Sequence, residues 1–279
     1  MARRTAGTTS TDTAGPETPG PDSAGTDSAG TDSAGPDSTG PDSTGRAAKG
    51  AKGRAARRKA ADGKADGKGA APAATTVLLV RHGQTATTGT TLPGRAKGLD
   101  LATLGHEQAA TAARRIAGLK KVDAVYASPL ERTRQTAAPI AKATGLRVRT
   151  AKGLLECDFG DWTGAKLADL RKLPEWNAVQ RHPSGFRFPG GESFAEMQLR
   201  IWNELERLVA AHPGGTIVAV SHADPIKAAV AMAGGIHLDL FQRIVVSPCS
   251  VTPLLFTAGG PVVLAVNSTG DDLSTLAPS

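Results

Sequence analysis

The residues best suited to chemistry in this chain are a cation and an imidazole at the end of an apolar run. Residues 76–80 are Thr-Val-Leu-Leu-Val, which predicts a buried β-strand, and Arg81, His82 and Gly83 follow it directly. Open α/β sheets bind their ligands at the carboxyl ends of the strands. An imidazole held there beside a fixed positive charge suits attack on an anionic centre, such as a phosphoryl group.

A second histidine occupies the same kind of position. His222 follows the apolar run 216–221 and precedes a helix predicted over Asp224–Ala233. If the two strands are neighbours, both imidazoles face one pocket, so the two histidines together predict a functional site. The other four histidines lie in helix-start or loop contexts and are interpreted as surface or structural residues: His106, His182, His212 and His237.

An arginine at a predicted helix start adds an anion-binding group. Residues 128–131, Ser-Pro-Leu-Glu, have the pattern of a capping box, so Ser128 is predicted as the N-cap of a helix. Arg132 then falls in the first turn, where free backbone N–H groups and the helix dipole already favour an anion. Its guanidinium group adds a bidentate clamp for oxyanions.

A candidate proton donor lies in a segment rich in acidic, aromatic and turn residues. Within residues 155–164, Glu156 supplies a carboxyl group and Trp162 an aromatic side chain that limits the access of water. A carboxyl group held in such surroundings beside the pocket suits a general acid.

The elements that must position these groups alternate between strands and helices. Strands are predicted at Thr76–Val80, Ala124–Ala127, Arg147–Thr150, Thr216–Ser221, Val251–Phe256 and Val262–Val266. Helices are predicted at Thr103–Leu119, Pro129–Thr144, Ala165–Lys172, Phe194–Ala211, which begins with a second capping box at Ser193, and Asp224–Ala233. This alternation predicts an α/β fold, a three-layer α/β/α sandwich with a mainly parallel sheet.

Composition divides the chain into two unequal parts. Residues 1–74 contain no Val, Ile, Leu, Phe, Trp or Tyr, so they cannot bury a core, and we predict a disordered, low-complexity N-terminal tail. Residues 75–279 hold essentially all the large apolar side chains and are numerous enough for one well-buried domain. The sequence therefore predicts one catalytic domain over 75–279.

The predicted tail has an acidic and a basic segment. Residues 1–45 carry two arginines against seven acidic residues, most of them in a five-residue repeat, whereas residues 46–70 carry nine Lys or Arg against two acidic residues. The net charge of +7 is therefore partly a property of the tail. The basic segment is interpreted either as a functionless soluble extension or as a weak contact for nucleic acid or another polyanion.

Three absences narrow the class of protein. The two cysteines, Cys157 and Cys249, have neither metal-binding nor disulfide spacing, which favours a reducing, cytoplasmic compartment. No apolar run of about 18 residues occurs, so we predict no membrane contact. No glycine-rich P-loop or dinucleotide-binding loop occurs either, and we predict no metal and no other cofactor.

Together these motifs resemble the histidine phosphatase superfamily, the phosphoglycerate-mutase-like family. The resemblance rests on residues 81–85 (Arg-His-Gly-Gln-Thr), residues 128–137 (Ser-Pro-Leu-Glu-Arg-Thr-Arg-Gln-Thr-Ala), Glu156 with the Gly and Trp residues after it, and Ser221-His222. The order and the spacing both agree, and the resemblance covers about residues 76–268.

The resemblance implies a role for each of these groups. His82 corresponds to the nucleophile that becomes phosphohistidine. Arg81, Arg132 and His222 correspond to the groups that hold the phosphoryl oxygens. Glu156 corresponds to the acid that protonates the leaving oxygen and then deprotonates the attacking water.

Substrate contacts outside this group are also implied. Thr88 occupies the position, six residues after the nucleophilic histidine, where many relatives carry an Asn that contacts phosphate, and its side chain is shorter. The loop 187–193 resembles the substrate-side loop of one bacterial branch, and its charged residues are interpreted either as substrate contacts or as a loop-packing ion pair. The predicted substrate-binding residues are Gln84, Thr85, Thr88, Arg187 and Glu192.

We predict a metal-independent phosphatase that hydrolyses a small phosphorylated metabolite through a phosphohistidine intermediate. The first alternative is a phosphomutase of the phosphoglycerate mutase type, but such mutases usually carry a longer insertion between the acid and the second histidine. Only 65 residues separate Glu156 from His222, which favours hydrolysis. The second alternative is a nucleic-acid-associated binding protein with an inactive phosphatase-like domain, and the complete set of predicted catalytic residues argues against it.

Overall fold

The structure is a computed structural model that describes residues 73–270. The predictions for the N-terminal tail, including its acidic repeat and the basic segment 46–70, therefore lie outside the described residues, apart from positions 73 and 74. Residues 271–279, at the end of the predicted catalytic domain, lie outside them as well.

A six-stranded mixed sheet forms the centre of the described part. Its strands are β1 (Thr75–Arg81), β2 (Ala124–Ala127), β3 (Val148–Thr150), β4 (Thr216–Ser221), β5 (Val251–Thr257) and β6 (Gly260–Val263). The strand order is β3-β2-β4-β1-β5-β6; the first four are parallel, and β5 and β6 pair antiparallel to their neighbours. The prediction of an α/β fold with a mainly parallel sheet is confirmed, and β1 and β4 are neighbours.

Helices cover both faces of this sheet. They are α1 (Thr103–Ala117), α2 (Glu131–Thr144), α3 (Leu167–Leu170), α4 (Glu175–Arg181), α5 (Phe194–Ala210) and α6 (Ala223–Ala233). Because successive strand residues point to opposite faces, Val77 and Leu79 pack with α5 and α6, whereas Leu78 and Val80 pack with α1 and α2. The result is the predicted three-layer sandwich.

Several element boundaries differ from the sequence prediction. The last strand, predicted at Val262–Val266, is observed at Gly260–Val263. It begins earlier because only two residues form the turn after Thr257, which pairs directly with Gly260. The helix predicted over 165–172 shrinks to the single turn α3, and α4 was not predicted. The capping box at Ser193 is confirmed: Ser193 Oγ accepts the Glu196 N–H at 3.1 Å, and the Glu196 carboxylate accepts the Ser193 N–H at 2.9 Å. Among residues 73–270, no helix is long and apolar enough to cross a membrane.

Candidate active site

Both strand-end histidines lie at the same edge of the sheet. His82 and His222 follow the adjacent strands β1 and β4, in which Arg81 pairs with Ser221. The two imidazoles are buried, and their ring centroids are 5.2 Å apart. The structure therefore brings together the two side chains that the sequence placed in one pocket.

Hydrogen bonding leaves one nitrogen of His82 free to act as a nucleophile. Its Nδ1 lies 2.8 Å from the carbonyl oxygen of Gly83, and because a carbonyl only accepts, Nδ1 carries the ring proton and Nε2 keeps its lone pair. Burial, followed by the charges of Arg132 and Arg81, lowers the pKa of His82 well below its ordinary value, which keeps the ring neutral. A side chain at Gly83 would collide with Gly105, whose carbonyl oxygen lies 2.5 Å from the position of a Cβ, so only glycine fits here.

The cations around His82 carry hydrogen-bond donors that the described residues leave without acceptors. The buried Arg132 donates from one Nη to the Gly94 carbonyl at 2.7 Å, but its Nε and its other Nη have no partner. Arg81 donates from one Nη to the Val246 carbonyl at 2.6 Å, and its Nε has no partner. Nδ1 of His222 is also unpartnered. Leaving a buried donor unsatisfied costs about 1–3 kcal/mol, and more when it is charged, so the three unpartnered guanidinium nitrogens indicate a site built for an anion.

Glu156 lines the same cavity as Arg81 and His82 and is almost fully buried. Its Oε1 accepts the N–H of Cys157 at 2.9 Å. Burial, with a smaller contribution from the Asp224 carboxylate, raises the pKa of Glu156 to about 7, although Arg132 and Arg81 oppose the shift. A carboxyl group with such a pKa exchanges its proton readily at neutral pH, as a group that acts first as acid and then as base requires.

Two arginines that the sequence analysis missed hold the backbone of this loop. The Glu156 carbonyl accepts from Arg95 Nε at 2.9 Å and from an Arg200 Nη at 3.2 Å. The Glu192 carboxylate accepts from both arginines, at 2.9 Å from Arg95 and at 2.7 and 2.9 Å from Arg200. We call Arg95, Arg200 and Glu192 the acid-loop clasp. No local pattern marks its arginines, because they reach Glu156 from 61 and 44 positions away along the chain.

The cavity that contains the reactive side chains has a volume of about 300 Å³. Arg81, His82 and Glu156 line one part of it, and its other polar lining residues are Thr85, Thr87, Thr88, Thr91, Asp224, Lys227 and Gln242. Lys227 Nζ lies 3.3 Å from an Asp224 oxygen and 3.1 Å from Gln242 Oε1. The aromatic residue in the wall is Phe159 and not Trp162, which packs against Trp176 and Phe188 instead.

Three of the predicted substrate contacts are not part of this wall. Gln84 is held through its backbone, by Gln108 Oε1 at 3.0 Å and by the N–H of Ala102 at 2.9 Å. Arg187 is exposed and forms an ion pair with Glu196. Glu192 belongs to the acid-loop clasp. Arg187 and Glu192 thus both form ion pairs, but not with each other. Of the five predicted substrate-binding residues, only Thr85 and Thr88 line the cavity.

The capping box predicted at Ser128 is wrong. Helix α2 begins at Glu131, and its N-cap residue Leu130 makes no side-chain cap. The Ser128 hydroxyl lies 2.9 Å from Nε2 of His222, so a hydrogen bond across the sheet replaces the local one. Arg132 nevertheless lies in the first turn of α2, as predicted.

In residues 73–270, the remaining histidines and the side chains of metal-binding type do not form a second centre. His212 Nε2 lies 2.9 Å from the Tyr126 hydroxyl, and His182 and His237 both lie near Asp239. His106, at the exposed surface of α1, is absent from the cavity lining, as are these three. Within the described residues, no group of three or more His, Cys, Asp or Glu side chains is placed to hold a metal ion.

The chain is similar in sequence to known proteins over most of the described part. The chain is 32% identical over 204 residues to the bifunctional protein Rv2228c of Mycobacterium tuberculosis, a match that covers 72% of this chain and 56% of that protein. The chain therefore matches little more than half the length of that relative. It is 31% identical over 198 residues to phosphoserine phosphatase 1 of Hydrogenobacter thermophilus, covering 69% of this chain and 92% of that enzyme.

A solved structure agrees at the level of the fold. The mycobacterial glucosyl-3-phosphoglycerate phosphatase Rv2419c superposes with a TM-score of 0.64 at 26% identity, over 70% of this chain and 99% of that one. Residues 77–269 also match a family model, which begins within β1, continues past the last strand and includes every residue of the site. The chain belongs to the histidine phosphatase superfamily (branch 1).

Proposed function

We propose that this chain is a phosphatase that hydrolyses a small phosphomonoester through a phosphohistidine at His82. The observation that carries the proposal is the set of three buried, unpartnered guanidinium donors of Arg81 and Arg132 around a neutral imidazole whose Nε2 keeps its lone pair. A phosphoryl group supplies the missing acceptors and the electrophile at the same time. Positioning and charge stabilisation are most of what phosphoryl transfer needs, and the side chains of this site provide both.

The first half-reaction transfers the phosphoryl group to the enzyme. Nε2 of His82 attacks phosphorus, and the bond from phosphorus to the ester oxygen breaks as the N–P bond forms. Glu156 gives its proton to the leaving oxygen, so the alcohol departs neutral. Arg81, Arg132 and His222 donate hydrogen bonds to the phosphoryl oxygens as negative charge redistributes over them.

The second half-reaction returns the enzyme to its starting state. Glu156, now ionised, takes a proton from water while the water oxygen attacks phosphorus. The N–P bond breaks, inorganic phosphate leaves, and its electron pair returns to Nε2 of His82. One carboxyl group thus serves as acid and then as base, which a pKa of about 7 permits.

The leaving group of the substrate occupies the outer part of the cavity. Hydroxyl groups of Thr85 and Thr88 and the ends of Lys227, Asp224 and Gln242 offer polar contacts there, which suits a small, polar metabolite. The named substrates of two relatives, phosphoserine and glucosyl-3-phosphoglycerate, are such compounds. Because both cysteines are free thiols, we place the reaction in a reducing, cytoplasmic compartment.

Phosphate release from a panel of phosphorylated metabolites tests this proposal. The assay contains EDTA and compares the wild type with His82→Ala and with His106→Ala, a matched control at an exposed histidine outside the cavity. We expect release that resists EDTA, disappears in His82→Ala and persists in His106→Ala. Equal activity in wild type and His82→Ala contradicts the proposal, and isomerisation of 3-phosphoglycerate without release of phosphate identifies a mutase instead.

The polyanion contact of residues 46–70 is a separate prediction. Deletion of residues 1–72 removes the basic segment and leaves every residue of the site. Loss of DNA retention with unchanged phosphatase activity supports an independent binding role for the segment, whereas unchanged retention excludes it.

A further inference from the structure

Ser128 and His222 form a buried pair that the reaction above does not explain. Both side chains are completely buried, and Ser128 Oγ lies 2.9 Å from Nε2 of His222. Nδ1, on the other side of the ring, has no partner among the described residues. A neutral imidazole carries one proton, and the hydrogen bond at Nε2 decides which nitrogen holds it.

The second contact of the serine hydroxyl favours one direction for this hydrogen bond. The N–H of Leu130 points to Ser128 Oγ at 3.4 Å, so it occupies one of the two lone pairs of the oxygen. The hydroxyl proton then needs an acceptor, and in the described part of the chain Nε2 of His222 is the acceptor that Ser128 Oγ reaches. The serine therefore donates, and the ring proton resides on Nδ1.

We propose that the Ser128 hydroxyl fixes His222 as the tautomer with its proton on Nδ1, so that a neutral imidazole donates to a phosphoryl oxygen. The opposite tautomer presents a lone pair to that oxygen, which is repulsive. Ser128 is thus a positioning residue that acts through His222. The identity of the bound oxygen rests on the proposed function, whereas the tautomer itself does not.

The charges around His222 keep its ring neutral, so the tautomer decides which nitrogen can donate. The charged and titratable groups that act on it are Arg132 from α2, His82 directly after β1, Arg200 from α5 and Arg81 at the end of β1. Burial and these groups, Arg132 first, lower the pKa of His222 well below its ordinary value. The ring consequently lacks the second proton that makes both nitrogens donors regardless of tautomer.

Nitrogen-15 NMR of the full chain, labelled at histidine and free of phosphate, tests the tautomer directly. His222→Gln identifies the His222 signals by their absence. We expect wild-type His222 to show the neutral, Nδ1-protonated pattern, and Ser128→Ala to lose it in favour of protonation at Nε2. A wild-type ring protonated at Nε2, or a tautomer unchanged in Ser128→Ala, overturns the proposal. The wild-type spectrum decides even if Ser128→Ala does not fold.

Kinetics then connect the tautomer to catalysis. At neutral pH we expect Ser128→Ala to lower kcat/KM by about 10- to 100-fold, the effect of losing a hydrogen bond to a charged group. The defect narrows only at pH values below the lowered pKa of His222, where the doubly protonated ring donates from Nδ1 whatever binds Nε2. Ser128→Thr, which keeps the hydroxyl, restores activity.

Thr133→Val is the matched control. The Thr133 hydroxyl is buried at the same helix start and donates to the carbonyls of Ser128 and Leu130, at 2.8 and 2.7 Å, without touching His222. A defect in Ser128→Ala that equals that of Thr133→Val at every pH overturns the positioning role. A wild type without phosphatase activity rejects the proposed function, while the NMR result still decides the tautomer.

Discussion

The two sides of the candidate active site are stabilised in opposite ways. Around His82, the buried cations keep donors without acceptors, and the described residues leave that part of the site electrostatically incomplete. Around Glu156, the acid-loop clasp satisfies nearly every polar group: Glu192 alone accepts hydrogen bonds from Arg95, Arg200 and the N–H of Asp158. The first region carries a cost in stability that a ligand removes, whereas the second contributes to stability whether or not a ligand is present.

The largest expected effect comes from removing a cation on the incomplete side. Arg132→Met should lower kcat/KM by at least about 10³-fold, because the guanidinium stabilises charge in the transition state. The same change removes a buried charge that lacks a carboxylate partner, so the melting temperature in the absence of phosphate should stay constant or rise. Phosphate-release kinetics and calorimetry check both parts. A large fall in melting temperature would show that Arg132 is structural, and the contrast between the regions would then fail.

The next effect concerns the proton of Glu156. Glu156→Gln should lower kcat/KM, which reports the first half-reaction, by about 10²- to 10³-fold on alkyl phosphates and far less on p-nitrophenyl phosphate, whose leaving group needs little protonation. Because the acid form is the reactive one, the wild-type rate on alkyl phosphates should fall above about pH 7, and the variant should lack that limb. Equal losses on both substrates would refute the role of proton donor.

The contribution of Glu156 to the free energy of unfolding should decrease as the pH rises. The folded state raises the pKa of Glu156 from its ordinary 4.5 to about 7, so the folded state binds this proton more tightly than the unfolded chain. Its contribution is therefore fully present below pH 4.5 and is lost as the pH rises through about 7. The difference in unfolding free energy between wild type and Glu156→Gln, measured by denaturation across this range, should shift in that direction.

The smallest effects separate the clasp from the exposed loop. Glu192→Gln leaves Arg200 without its carboxylate, whereas Arg95 keeps its ion pair with Asp158 at 3.1 Å. We expect a loss of stability on the order of 2 kcal/mol and a fall in kcat of about tenfold through displacement of Glu156. Arg187→Ala is the control: its ion pair with Glu196 is at the surface, and kcat, KM and melting temperature should not change. A rise in KM confined to Arg187→Ala would restore the alternative in which this loop contacts substrate.

The residues of the site that could be predicted from the sequence are those marked by a local pattern. His82 and His222 were predictable because each follows a buried apolar strand, and the parallel pairing of β1 and β4 then brings their rings together. Arg132 was predictable from its place in the first turn of a helix. These assignments need only local patterns and one rule of sheet topology.

The contacts that hold the site together were not predictable in this way. Arg95 and Arg200 reach the Glu156 carbonyl from distant parts of the chain, and nothing in their neighbours' types indicates it. Ser128 has the local pattern of an N-cap, yet a tertiary hydrogen bond to His222 replaces that role. Tertiary contacts override local propensity at these positions because buried polar groups require hydrogen-bond partners, which here come from distant parts of the chain.

Trapping the phosphorylated enzyme shows whether His82 carries the phosphoryl group during turnover. The enzyme is mixed with a substrate that carries a labelled phosphoryl group, quenched within the first turnover under alkaline conditions that preserve phosphohistidine, and mapped by peptide mass spectrometry. We expect label on His82 that decays as inorganic phosphate appears, and no label in His82→Ala. Turnover without any label on His82, or with label on another residue, would contradict it.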